Sequence, residues 1–160
     1  MSAFVENILY PKTNVSSVET NLSIVSKRED GIIEIRFKKN EYEVDVSEQL
    51  DIHDAYAKLT NNGSDPYALL VIPGTYGGVT KEAREMEMFD FDVYRNQMAL
   101  AIVIKSLHQR ILATMYFSLK RKKPKYPYRL FNSETNAIKW IRKQLSSIEN
   151  TASKHFADLA

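Results

Sequence analysis

The sequence predicts an α/β fold: one layered domain in which an antiparallel meander precedes a βαβαβα run, with helices packed on the sheet. Three observations carry that prediction. Residues 68–72 and 98–104 are almost wholly apolar, as strands covered on both faces of a parallel sheet must be. Each of these runs leads into a stretch of helical periodicity. Before them, residues 18–46 alternate polar and apolar side chains with the period of a half-buried strand.

The elements follow in order. Residues 1–17 have mixed polarity and read as a lead-in. Strands over 18–27 and 31–38 flank a turn at Arg28-Glu29-Asp30-Gly31, where Asp-Gly is a hairpin signal. In the second strand Ile33, Ile35 and Phe37 alternate with Glu34, Arg36 and Lys38. A third short strand, 42–46, completes the meander. Ser47 then reads as a helix cap, Leu50, Ile52, Ala55, Tyr56 and Leu59 as the buried face, and Asn61-Asn62-Gly63 as the stop. Strand and helix then alternate three times: 68–72 with 80–94, 98–104 with 107–120, and 128–131 with 133–147. In the last helix Ser133 is the cap and Ala137, Trp140, Ile141 and Leu145 form the buried stripe. The single domain is therefore expected over 18–148, with a polar tail over 149–160.

Composition narrows the functional classes. The chain has no cysteine, which removes disulfides, thiol nucleophiles and zinc–thiolate sites and fits a cytoplasmic setting. No run approaches the roughly 20 apolar residues that span a bilayer, so membrane insertion is not expected. The start MSAFVENILYPK has neither a basic leader nor a continuous apolar core, so no signal peptide is expected. Charge is unevenly placed: residues 105–143 hold eleven Lys/Arg against Glu134 alone, a local +10 in a chain of net +2. The remainder thus carries −8, a polarity that favours an anionic partner or self-association between unlike faces. Lys120, Arg121, Lys122, Lys123 and Lys125 are the densest part of this basic patch. No nucleic-acid module accompanies it, and no nucleic-acid partner is expected.

The segment with most functional content is the passage from strand 68–72 into the next helix. Pro73-Gly74, a Gly77-Gly78 pair and Thr80 place a tight turn at a helix start, where α/β proteins hold ligands or modifiable side chains. Thr75, Gly77, Gly78 and Thr80 are the candidate switch or anion-binding turn. Neither a Walker A sequence nor GxGxxG is present, because Lys81 follows Thr80 and the glycines are wrongly spaced. Met86, Met88, Phe89 and Phe91 cannot all face one core, and form a candidate docking surface. The broad apolar band of 107–120 is wide enough to pair two subunits or to enclose an apolar ligand. His53, His108 and His155 lack ligand-spaced partners, so no metal or cofactor is expected, and no nucleophile–base set points to an enzyme.

The ordered pieces Val79-Thr80-Lys81-Glu82-Ala83-Arg84, Met98 to Val103, Arg110-Ile111, Tyr116-Phe117, Lys123-Pro124-Lys125-Tyr126-Pro127, Leu130-Phe131 and Ala137 to Ile141 resemble the STAS/SpoIIAA-like family. More closely the chain resembles the uncharacterised bacterial STAS/SEC14-type proteins, and the likeness covers roughly residues 66–142. It implies a SpoIIAA-like sheet and a regulatory domain that docks a protein partner or pairs as a homodimer, without turnover. In signalling members a serine in a D-S-S-G-like motif caps the second helix and is phosphorylated. Here that turn lacks D-S-S-G, and Thr80 is the nearest match by position. The alternative reading is a small apolar-ligand carrier or sensor, with a pocket between the 80–94 and 107–120 helices and the sheet.

Overall fold

The computed structural model describes residues 16–28, 30–86, 92–119 and 123–159, in a mixed α/β architecture. Six strands form the main sheet: β1 (Ser17–Glu19), β2 (Ser23–Lys27), β3 (Ile32–Phe37), β5 (Tyr67–Ile72), β7 (Gln97–Val103) and β8 (Tyr128–Phe131), lying side by side in that order. β1, β2 and β3 are antiparallel, and β3, β5, β7 and β8 run parallel. The hairpin between β2 and β3 turns on Gly31 at φ 78°, a left-handed conformation that glycine adopts without steric cost.

The side-chain alternation of the central strands divides the core into two. On one face Val25, Ile33, Ile35, Tyr67, Leu69 and Leu100 pack against α1 (Val46–Leu59) through Ile52, Ala55, Tyr56 and Leu59. On the other, Ile32, Ala68, Leu70, Ala99, Ala101 and Val103 meet Ala137 and Ile141 of α4 (Glu134–Asp158). Small residues on β7 let α4 approach closely. Arg36 holds its first turn through Glu134 at 2.5 Å, and Arg142 reaches Asp30 at 3.1 Å.

Several local expectations are corrected. The cap of α1 is Asp45, whose carboxylate accepts the Glu48 N–H at 2.8 Å, and Ser47 lies inside the first turn. Leu50 is 44% exposed and does not join the buried face. The stop at Asn61-Asn62-Gly63 is as expected, all three with positive φ. The helix expected over 80–94 is only α2 (Lys81–Glu85): Met86 is already extended at φ −66°, ψ 130°, and a 3-10 turn follows at Asp92–Tyr94. The last helix does not end near 147 but continues to Asp158, and Glu149, Asn150, Thr151, Ser153, Lys154 and His155 on that continuation are exposed.

The largest correction concerns β4 (Glu41–Val44). It does not extend the meander. It pairs in parallel with β6 (Tyr76–Val79), a strand formed by residues expected to turn, in a separate two-stranded sheet. This sheet continues the β3–β5 ladder beyond a break. Arg36 stands opposite Ile72 and Glu41 opposite Tyr76, so the β3–β4 connection holds one residue more than β5–β6. The extra residue bends the continuation out of the main sheet. The two connections touch at the bend: a Cβ on Gly74 would overlap the Lys39 carbonyl oxygen.

Candidate functional site

Bending β4 and β6 away from the main sheet opens a cleft of about 1020 Å³. Its floor is Phe37, Val71 and Ile102, the side chains near the carboxyl ends of β3, β5 and β7. One wall is the small sheet with α2, contributing Tyr42, Val44, Gly77, Val79 and Arg84. The opposite wall is α3 (Leu107–Leu119), contributing Leu112, Ala113, Met115, Tyr116 and Phe117. The carboxyl end of a parallel sheet is where open α/β folds bind their ligands.

α3 is held at its two ends and leaves much apolar surface outside. Ser106 Oγ accepts the Gln109 N–H at 3.2 Å at the start. Gln109 is buried, and its Nε2 donates to the Gly74 carbonyl. Toward the far end Phe117 is buried, its ring stacked on Tyr128 at 4.4 Å between centroids, and Lys123 Nζ donates to the Phe117 carbonyl. Between these anchors Leu107, Ile111, Leu112 and Met115 remain 73%, 51%, 46% and 51% exposed. That is a large apolar surface for one helix to leave in water.

The opposite wall is organised by Tyr42. Its ring stacks flat on Phe37, 4.3 Å between centroids and 3° between planes, and its hydroxyl accepts the Gly74 N–H at 3.2 Å. Burial pushes the Tyr42 phenol up to about 12, opposed by the Gly74 N–H bond, and burial pushes Tyr116 to about 12 as well. A phenol is neutral near pH 7 with or without this shift, and both hydroxyls act as hydrogen-bonding groups in an apolar cleft. Lys81 and Glu85 lie 4.0 Å apart on the rim, an exposed i,i+4 pair of small energetic weight.

The residues singled out by sequence are placed as follows. Gly77 and Gly78 line the cleft from within β6. Thr80 caps α2, its Oγ1 accepting the Ala83 N–H at 3.2 Å. Thr75 is exposed and borders a separate polar notch of about 160 Å³ with Arg36, Lys105 and Glu134. Met86 is half-buried beside α2, whereas Met88, Phe89 and Phe91 lie outside the described residues. So do Lys120, Arg121 and Lys122 of the basic patch. Lys123 and Lys125 are exposed, with Lys123 serving as the carboxyl-terminal partner of α3. Sequence reasoning missed Tyr42 and Gln109; the alternation Glu41-Tyr42-Glu43-Val44 put Tyr42 on an apolar face, while nothing local marked Gln109.

Among the described residues no group of three His, Cys, Asp or Glu side chains is placed to hold a metal ion. Among them, too, no helix is long and apolar enough to cross a membrane. A family model described as a domain of unknown function matches residues 26–145, which include every residue of the cleft. No curated protein and no solved structure matches the chain.

Proposed function

The chain belongs to the DUF7793 family, and from its cleft we propose that it is a non-enzymatic, STAS-like interaction domain that docks an apolar segment of a protein partner or of a second copy of itself. The observation that carries this reading is the half-open apolar cleft whose α3 wall includes Leu112 and Met115, 46% and 51% exposed. Small-molecule sites bury most of their ligand, usually in about 300–1,000 Å³. A cleft at the top of that range, with Leu112 and Met115 of its wall about half exposed to solvent, is better matched to a macromolecular segment.

In keeping with a domain that does no chemistry, the cleft acids Glu43 and Glu85 are exposed, and Glu85 stands 4.0 Å from Lys81 as an ordinary surface ion pair. The proposal places the domain in the cytoplasm, in keeping with a cysteine-free chain. A second reading rests on the size of the cleft itself: a small apolar ligand carried between α3 and the small sheet.

Ala113→Trp, which fills the cleft, and Met115→Glu, which charges its wall, test the proposal. The native mass spectrum and sedimentation of the full chain, alone and with proteins captured from its source cell, supply the measurement. A stoichiometric partner or dimer lost in both variants is the expected result. A monomer carrying a small molecule that Ala113→Trp expels would replace it with the second reading.

A further inference from the structure

Among the described residues the small sheet stops one strand short. In the main sheet β5 has β7 beside it, but above the bend its continuation, β6, has a described partner on one side only. The Tyr76 N–H donates to the Asn40 carbonyl at 2.7 Å and the Thr80 N–H to the Val44 carbonyl at 2.9 Å. Even-numbered residues of β6 therefore face β4, and by strand geometry the odd-numbered ones face away. Gly77 spends its N–H on the Gly74 carbonyl. The Gly77 carbonyl and both backbone groups of Val79 take no hydrogen bond from other described residues.

These free groups lie on residues that line the apolar cleft, and between them Gly78 carries no side chain to hold a neighbour off. Across the cleft, α3 offers Leu112, Ala113 and Met115. An unpaired strand edge beside an apolar trough is the arrangement that takes up an extended peptide, whose backbone completes the ladder while alternate side chains fill the trough. A purely apolar small molecule would leave the edge unpaired; a strand satisfies both. Resting on the docking function proposed above, the geometry points to strand addition: the occupant of the cleft is an extended segment of another chain, hydrogen-bonded to the free edge of β6 at Gly77 and Val79.

Val79→Pro isolates the backbone contribution. It removes an N–H that the fold does not use, whereas Val79→Ala trims the side chain and keeps the N–H. The probe is a library of random heptapeptides displayed on phage and selected on the full chain, with hydrogen exchange verifying that each variant is folded. The expected product is a peptide of alternating apolar residues. Its affinity falls about tenfold on Val79→Pro, the scale of one good hydrogen bond, and much less on Val79→Ala. Methylating the peptide's own backbone nitrogens, one at a time, should weaken binding at alternate positions only. That second measurement stands even if Val79→Pro does not fold.

A selected peptide that binds without the alternate-position effect, yet is excluded by Ala113→Trp, would overturn strand addition and leave docking in the cleft intact. Failure to enrich any peptide over the Ala113→Trp variant would overturn strand addition as well. The partner and dimer measurements above would then decide the docking reading separately.

Discussion

The ring of Tyr42 occupies the space that a side chain on Gly77 would need. A Cβ on Gly77 would overlap the Tyr42 hydroxyl and lie 3.0 Å from its Cε2 atom. An alanine there must displace a ring that is stacked on Phe37 and bonded to the Gly74 N–H. Gly77→Ala is therefore predicted to destabilise the protein by about 1–3 kcal/mol, the usual cost of overpacking. At Gly78 the nearest atom to a new Cβ is 3.8 Å away, and Gly78→Ala is predicted to stay within about 0.5 kcal/mol of the parent. Urea unfolding of the two variants is the check, and equal losses would show that Tyr42 does not set the requirement.

That contact also shows what the sequence could and could not reveal. β5 and β7 were legible because strands covered on both faces are apolar at every position, a signal contained in the strands themselves. β6 was not. Tyr76-Gly77-Gly78-Val79 has no alternation, and it is a strand only because β4, 35 residues earlier in register, lies beside it. α2 was overextended because the Met and Phe residues after it mimic helical spacing. The apolar wealth of α3 was evident, but whether it faced a core or a cleft depended on where β6 bent. Gln109 is fixed by the carbonyl of Gly74, a contact no local pattern announces.

Glu48 ties the start of α1 to the turn between β1 and β2. Its Oε1 accepts from the Thr20 hydroxyl at 2.5 Å and from the Leu22 N–H at 3.0 Å, and the residue is 5% exposed. Removing the carboxylate leaves a buried hydroxyl and a half-buried N–H without this acceptor. Glu48→Ala is predicted to cost about 1–3 kcal/mol, and Glu48→Gln less, because an amide oxygen can still accept. Chemical denaturation measures both; a Gln variant as damaged as the Ala variant would mean that charge, not hydrogen bonding, holds the turn.

Thr80 caps through its side chain a five-residue helix that walls the cleft. Such a helix is too short to persist on its own propensity. Thr80→Ala is predicted to lower stability by about 1 kcal/mol and to speed exchange of the Ala83 amide, which loses its acceptor. Thr80→Ser should restore both. Unchanged exchange at Ala83 in the alanine variant would show that packing of Ala83, which is fully buried, secures the helix instead.

His53 makes stability depend on acidity. It is buried in α1, its Nε2 2.7 Å from the Tyr94 hydroxyl and its ring edge-on to Tyr94 at 5.2 Å. Burial pulls its pKa down from 6.5 to about 4, with the Asp54 carboxylate opposing the shift. The unfolded chain therefore binds more protons than the folded one between pH 6.5 and about pH 4. The sign follows: the contribution is whole above pH 6.5 and is lost as the pH falls toward 4. The loss amounts to about 3 kcal/mol at its limit. His53→Gln keeps a hydrogen-bonding group for Tyr94 and cannot titrate. Urea midpoints taken at pH 7, 5.5 and 4.5 should fall less steeply in this variant than in the parent. Parallel declines in the two proteins would assign the acid sensitivity to carboxylates elsewhere, such as Glu19, whose pKa the hydrogen bond from Lys38 lowers.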